Sequence, residues 1–289
     1  MLRHSIVGLL ALGLFTADSV RAEDEYDLRG PNPVKGQVYI LTAKSTGKNL
    51  VRNIKVGDKS IEEKFDEVTT KKKEIEVLGV DGFDITKMRT KVITDQRNEF
   101  TRRGKKEVKK TTDRDLQGQY IYSERLKTGW KNSLEDVTPN DKQKTALKEY
   151  VPFKEEDTFY PAGKIKVGQS WKIDQAMMDR VIGKQFEEMK GSGTGKLLRV
   201  EKDKGEDIAV IEVEFEVTGK EKEDDLSFDV TIKGKGQAYR SLKLGFDRRS
   251  TTVLEISMKG GGESDGQKIE MDFKGTMNAE DLIELKEKK

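Results

Sequence analysis

The chain of 289 residues contains no cysteine and only one histidine, His4. Without cysteine there are no disulfides, thiolate metal sites or cysteine nucleophiles, so stability has to come from a buried core. His4 falls inside a stretch that reads as a leader, which leaves the rest of the chain without imidazole as well. Ser-His-Asp and Cys-His systems, imidazole or thiolate zinc sites and ordinary haem ligation are thereby excluded. Carboxylate, lysine or tyrosine chemistry remains open, as does oxygen-ligated Ca²⁺ or Mg²⁺.

Charge of one sign is also lacking. The 55 basic and 53 acidic residues are interleaved and leave a formal net charge of +2. No field is built to attract a polyanion, so nucleic acid is not an expected partner. Long hydrophobic runs are confined to residues 6–15, preceded by Arg3 and followed by the small-residue site Val20-Arg21-Ala22. That order is a signal peptide over residues 1–22, which implies export to the periplasm or the cell exterior. The run is well short of the roughly 20 residues of a spanning helix. No transmembrane span is expected once it is removed. No metal or cofactor is expected either. The acidic clusters at 203–207 and 221–225 lack the ligand spacing of a Ca²⁺ loop, and 191–196 lacks that of a phosphate loop.

What the chain does have is alternation. Ala209, Ile211, Val213, Phe215 and Val217 alternate with Val210, Glu212, Glu214 and Glu216. Leu226, Phe228, Val230 and Ile232 do the same, followed by Leu242, Leu244 and Phe246, by Leu254, Ile256 and Met258, and by Ile269, Met271 and Phe273. Period 2 with Gly- or Asp-rich punctuation predicts an antiparallel meander with one apolar face. The earlier part carries weaker strands, at 38–41, 49–56, 74–78, 85–93, 105–112 and 120–122, with turn signals at Gly57-Asp58 and Asp81-Gly82. Asn140-Asp141 opens a short helix over 142–150. A second helix is expected at about 174–190, capped by Asp174 and Gly191, with Met178, Val181, Ile182, Phe186 and Met189 on one face.

The segment Ile165-Lys166-Val167-Gly168 echoes Ile54-Lys55-Val56-Gly57. Two further markers recur in the same order, 77–85 with 200–208 and Gly118-Gln119-Tyr120 with 236–239. The expected fold is therefore all-β and mainly antiparallel: two related curved sheets or half-barrels in tandem, with the 174–190 helix packed on the second. The divisions are a signal peptide at 1–22, a leader at 23–36, a first β half at 37–139, a helical bridge at 140–157 and a second β half at 158–289.

The mid-chain pattern Pro161-x-x-x-Ile165-Lys166-Val167-Gly168-x-x-Trp171, with a signal peptide and glycine-punctuated meanders, resembles a group of exported β-rich bacterial proteins of planctomycete type. That resemblance implies a fold and brings no activity, cofactor or catalytic residue with it. Within the motif, Pro161, Gly168 and Trp171 read as structural, the indole filling a core position.

Three functional readings follow. The favoured one is non-catalytic binding in the cell envelope, with an acyl chain or hydrophobic segment held on a concave apolar face. Val213, Phe215, Phe228, Val230, Leu244, Ile256 and Met271 would line that face, and Phe186 would serve as a lid contact. The same side chains would form a closed core in a filled barrel, in which case the protein is a structural or interaction module whose partner is another envelope protein. A carboxylate hydrolase is the third, since it needs neither histidine nor cysteine. No catalytic residue emerges from the spacing. Tyr120, Tyr122 and Tyr150 are candidates for a sugar platform, and Trp130 for an exposed ligand contact.

Overall fold

The computed structural model describes residues 24–286, apart from residues 83, 104–105, 128, 151, 153–159, 176–177, 179–186, 224 and 265. The expected signal peptide and Phe186 lie outside the described residues.

The chain is overwhelmingly strand, as its alternation requires. The N-terminal half forms β1 (Glu25–Asp27), β2 (Val38–Val56), β3 (Lys59–Asp81), β4 (Asp84–Arg103), β5 (Lys106–Asp113), β6 (Tyr120–Leu126) and β7 (Gly129–Leu134). Helix α1 (Asp141–Glu149) follows, then the short strands β8 (Lys164–Lys166) and β9 (Ser170–Ile173). Five long strands complete the chain: β10 (Glu187–Asp203), β11 (Glu206–Glu223), β12 (Leu226–Ser241), β13 (Phe246–Ser264) and β14 (Gln267–Leu285).

Twelve of these strands lie in one antiparallel sheet, eleven in the order β7-β6-β4-β3-β2-β14-β13-β12-β11-β10-β9 and the twelfth, β5, on the far part of β4. Strands β1 and β8 pair separately. The two halves are joined edge to edge, because β14 pairs with β2 from Ile269↔Val56 to Leu285↔Tyr39. The halves expected in tandem thus share a single sheet, which does not close. Their markers also land in unlike places: Gly118 lies in a turn and Gly236 inside β12.

Three expectations are corrected. The segments at 38–41 and 49–56 are one 19-residue strand, because an irregularity between Gly47 and Leu50, with Asn49 at φ +52°, absorbs the mismatch that breaks the pattern. Leu242 and Leu244 belong to a turn ahead of Phe246 rather than to a strand. The second helix begins as expected, with Gln175 and Met178 helical and the Met178 amide donating to the Asp174 carbonyl at 3.0 Å. It has ended by Glu187, however, and Met189 and Gly191 lie in β10.

The reason is steric. Gly191, Gly193 and Gly195 alternate along β10 on the face that receives Met178, Phe215 and Trp171. A Cβ at Gly195 would lie 2.2 Å from the Trp171 ring. Three glycines at period 2 are a strand making room for its neighbours' side chains, not a helix cap.

Helix α1 forms where Asn140 and Gln143 make a reciprocal capping box. Its Leu147 packs with Val92, Ile121 and Leu134 on β4, β6 and β7, and with Leu116 in the turn before β6. Asn132 holds the helix end by donating to the carbonyls of Leu147 and Tyr150 at 3.0 and 2.7 Å.

The leader is tied down by a side chain the sequence did not advertise. Arg240 on β12 is fully buried. Its Nε donates to the Leu28 carbonyl, and its Nη2 to the carbonyls of Arg29 and Gly245. Its Nη1 pairs with Asp247 at 3.0 Å, and the guanidinium carbon sits 4.2 Å from the Tyr160 ring centroid. The Tyr160 hydroxyl donates to the same Asp247 carboxylate at 2.6 Å. Gly30 and Gly245 come together beside this node, both at positive φ. A Cβ on Gly30 would stand 2.4 Å from the Gly245 Cα, so both positions require glycine.

Removing a partner from a buried ion pair strands the other charge at a cost of about 3–5 kcal/mol. Arg240→Leu is therefore expected to lower the urea midpoint by that equivalent. Tyr160→Phe, which deletes one hydrogen bond to a charged group, should cost only about 1.5–3 kcal/mol. Equal midpoints for the two variants would show that the node does not anchor the leader.

Candidate functional site

The two faces of the sheet differ in kind. On one, Glu212, Glu214 and Glu216 of β11 stand opposite Gln237, Lys235 and Lys233 of β12. Lys235 bonds Glu214 and lies 3.5 Å from Glu212, and Lys233 lies 3.5 Å from Glu216. Such exposed cross-strand pairs contribute at most about 1 kcal/mol each, but they favour one register over its neighbours. Open troughs border this charged face. One, about 990 Å³, is lined by Lys172, Thr194, Glu214, Glu216, Lys233 and Val253 among others, and another of about 480 Å³ adjoins it. Of the expected lining residues, Phe215 borders the first of these, and Ile256 borders a third trough of about 490 Å³.

The opposite face carries the apolar residues in register. One row runs Val230, Met258, Phe273, Arg52, Glu63 across β12, β13, β14, β2 and β3. A second runs Phe228, Gly260, Met271, Ile54, Ile61. A third runs Phe215, Gly234, Leu254, Met277, Gly47, Glu67, Glu99 and reaches β4. The structure therefore brings Val213, Phe215, Phe228, Val230, Ile256 and Met271 onto one face, as the alternation requires. Phe228 and Val230 are buried, and the other four are half-buried.

Leu244 is not with them. It packs from its turn against the cluster of Tyr39, Ile75, Val77, Ile85, Met88, Phe246 and Ile283. Trp130 packs there too, rather than standing free. Tyr120 on β6 is stacked with Arg89 and Lys91 of β4, while Tyr150 at the end of α1 lies over Lys73, so these two candidates for a tyrosine platform are each held by separate cations. Trp171 and Tyr160 fill the cluster beneath the motif, their ring centroids 6.2 Å apart. Gly168 adopts φ +85° in the turn between β8 and β9, and Pro161 follows the buried Tyr160.

Parts of the apolar face are covered. Leu28, Tyr160 and Ile165 pack on β10–β12, Met178 on Ile173 and Val217, and α1 on the β6–β7 end. Phe228, Val230, Ile256, Met258, Met271 and Phe273 belong to none of these clusters. Cross-strand spacing places the β12 end of a row about 19 Å from its β3 end.

At that β3 end the rows change character. Arg52 bonds Glu63 at 2.7 Å and approaches Glu99 to 3.8 Å, while Arg97 bonds Glu67 at 2.7 Å and Glu99 at 3.4 Å. Glu63 is only 4% exposed, a burial tolerated because its carboxylate is paired. Phe65 joins the two regions, with its ring 6.1 Å from that of Phe273 and 4.9 Å from the Arg52 guanidinium. Sequence reading did not find this ion network, because its members are scattered among many similar charges. Only the β2–β3–β4 register collects them.

Farther along β3, Lys73 sits under Tyr150 with its amine 4.5 Å from the ring centroid. Burial pulls its pKa down to about 8, with Lys71 adding to the effect and Asp95 opposing it. Burial likewise pushes Tyr150 up to about 12. Among the described residues no group of three or more His, Asp or Glu side chains is arranged to hold a metal ion, and no helix is long and apolar enough to cross a membrane.

No family model matches the chain, and no curated protein matches it at a significant level. Among solved structures, it aligns over 88% of its length with lipovitellin, in a structure describing lipid–protein interactions. Identity there is 8% and the TM-score 0.39, and the alignment spans 25% of that chain. It also aligns over 89% of its length with an outer membrane channel from Pseudomonas putida F1, at 6% identity and a TM-score of 0.21, spanning 98% of that chain. The chain thus corresponds to a quarter of the lipovitellin chain. Neither overlap is close enough to define a shared fold.

Two outcomes follow from the geometry. A Cβ at Gly234 would stand 2.2 Å from the Phe215 ring, so Gly234→Ala should cost about 1–3 kcal/mol by overpacking. Combining it with Phe215→Ala should recover part of that loss, and strictly additive costs would show that the ring does not lie over Gly234. For Lys73, the unfolded chain binds the extra proton between pH 8 and the ordinary lysine value, so stability rises with pH across that window. Lys73→Met should therefore stabilise the fold at pH 7, with a gain that shrinks as pH rises from 8 to 10.5. A gain independent of pH would contradict the burial.

Proposed function

We propose that this is an exported, non-catalytic binding protein of the cell envelope that holds a lipid-like amphiphile on the sheet face opposite the Lys–Glu ladder. The observation that carries the reading is the composition of the rows. In two of the three rows, apolar side chains on β11–β14, spaced in one of them by Gly234, lead into the Arg52–Glu63–Glu99–Arg97–Glu67 network on β2–β4. An acyl chain lying across Met258, Met271 and Phe273, beside the buried Phe228 and Val230, would remove the half-buried surface of those three side chains from water. Its polar end would meet charged groups on the same face. Non-catalytic action is favoured because Glu212, Glu214 and Glu216 on the outer face stand opposite or beside lysines and do not converge as an acid–base pair.

The test is native mass spectrometry of the mature protein purified from its own envelope, paired with solvent extraction. A discrete added mass that extracts as lipid supports the reading. The double variant Met258→Asp, Phe273→Asp should keep its far-UV spectrum and lose affinity for a fluorescent fatty acid by tenfold or more, about 1.4 kcal/mol. Unchanged affinity in the folded double variant would sink the proposal.

A further inference from the structure

The Lys73 site lies well away from the rows just described. It is ten residues from Glu63 along β3, a separation of about 33 Å in an extended strand. Lys73 is a half-buried amine facing the sheet side that α1 covers. Leu41 of β2 and Val92 of β4 flank it in register, and neither offers it charge. The charged and titratable groups that face it are Lys71 on its own strand, Asp95 on β4 and Tyr150 at the end of α1. Its hydrogen-bond partner is the Tyr150 hydroxyl, at a long 3.5 Å. Two further polar atoms on the same face of β4, Thr90 Oγ1, which lies close to the Tyr150 side chain, and Asp95 Oδ1, are buried without a well-formed hydrogen bond among the described residues. Thr90 is wholly buried.

Buried polar groups are normally satisfied, so an amine with one weak partner beside two such oxygens needs a reason. Packing alone would select an apolar residue at a position flanked by Leu41 and Val92. A solvated face would give Lys73 a carboxylate partner, as Lys87 has in Glu124. What the arrangement does provide is an amine screened from water, next to a phenol that remains protonated through neutral pH.

We propose that Lys73 is a nucleophilic amine that captures small carbonyl compounds, aldehydes above all, as a reversible imine. The neutral Nζ attacks the carbonyl carbon and forms the C–N bond, while the C=O π pair moves to oxygen. Tyr150, whose hydroxyl is beside Nζ, protonates that oxygen and recovers its proton from the nitrogen. The C–O bond then breaks and water leaves, carrying the two hydrogens that were on the amine. No oxidant or reductant takes part. In this scheme Asp95 Oδ1 and Thr90 Oγ1, on the same face of β4, accept from the carbinolamine hydroxyl and the leaving water. The depressed affinity of Lys73 for its proton supplies the neutral amine near pH 8.

The experiment is a short pulse of formaldehyde with cyanoborohydride on the folded mature chain, whose hydride traps any imine as a methylated amine. Modified lysines are mapped by peptide mass spectrometry at a series of pH values. Lys73 should react at least tenfold faster at pH 7.5 than the exposed Lys142 and Lys148, and its rate should level off near pH 8 while theirs keep climbing. Lys73→Arg should abolish the fast-reacting site without changing the others. Tyr150→Phe should slow Lys73 several-fold and leave Lys142 untouched; an unchanged rate would remove Tyr150 from the chemistry. Reaction of Lys73 no faster than Lys142, or only after denaturation, overturns the proposal.

Discussion

The pairing of β14 with β2 is the constraint on which the rest of this structure depends. It sets the last long strand against the first, from Ile269↔Val56 to Leu285↔Tyr39, and so converts two meanders into one sheet. Without it, each half would present a long edge of unpaired amides and carbonyls, the usual template for aggregation. Partners more than two hundred residues apart must meet before this seam can form, so the entropy of closing the chain falls largely on this step. Arg240 reinforces the same long-range logic. By binding the carbonyls of Leu28 and Arg29 and the carboxylate of Asp247, it gathers the leader, the Tyr160 segment and the β12–β13 turn around one buried charge.

Once the seam is in place, the amphiphilic face follows from register. Arg52 lies beside Phe273 only because β2 lies beside β14, and Glu63 faces Arg52 only because β3 folds back on β2. The charged network and the apolar rows are therefore one surface produced by two different hairpins. Glycines adjust its relief. Phe215 lies over Gly234 and Trp171 over Gly195, so large rings fit on strands that would otherwise be too crowded to receive them. On the reverse face, the Glu212–Glu216 and Lys233–Lys235 ladder keeps the strands in step and in water.

Much of this was legible in the chain. Alternation at 209–217, 226–232, 254–258 and 269–273 identified strands and told which side chains share a face, since period 2 is a local property of extended backbone. The Asn140 cap and the Gly57-Asp58 and Asp81-Gly82 turns were legible for the same reason. The misreadings have a common source. Gly191, Gly193 and Gly195 look like a helix stop until Met178, Phe215 and Trp171 are seen occupying the space they leave. Leu244 continues a period-2 pattern through a turn whose geometry is fixed from outside by Arg240 and Gly30. In each case the deciding contact comes from a residue far away in the chain.

The sequence by itself determined that the protein is all-β, that it has no thiol and a single imidazole at His4, and that one side of its strands is apolar. Each of these rests on composition or on the nearest few residues. Only the tertiary structure decided that the halves form a single sheet, that Arg52, Glu63, Glu67, Arg97 and Glu99 meet, and that Lys73 lies beneath Tyr150. Alternation states which way a side chain points but not which strand will lie beside it. Neighbours across strands are chosen by the global balance of pairing, burial and chain closure.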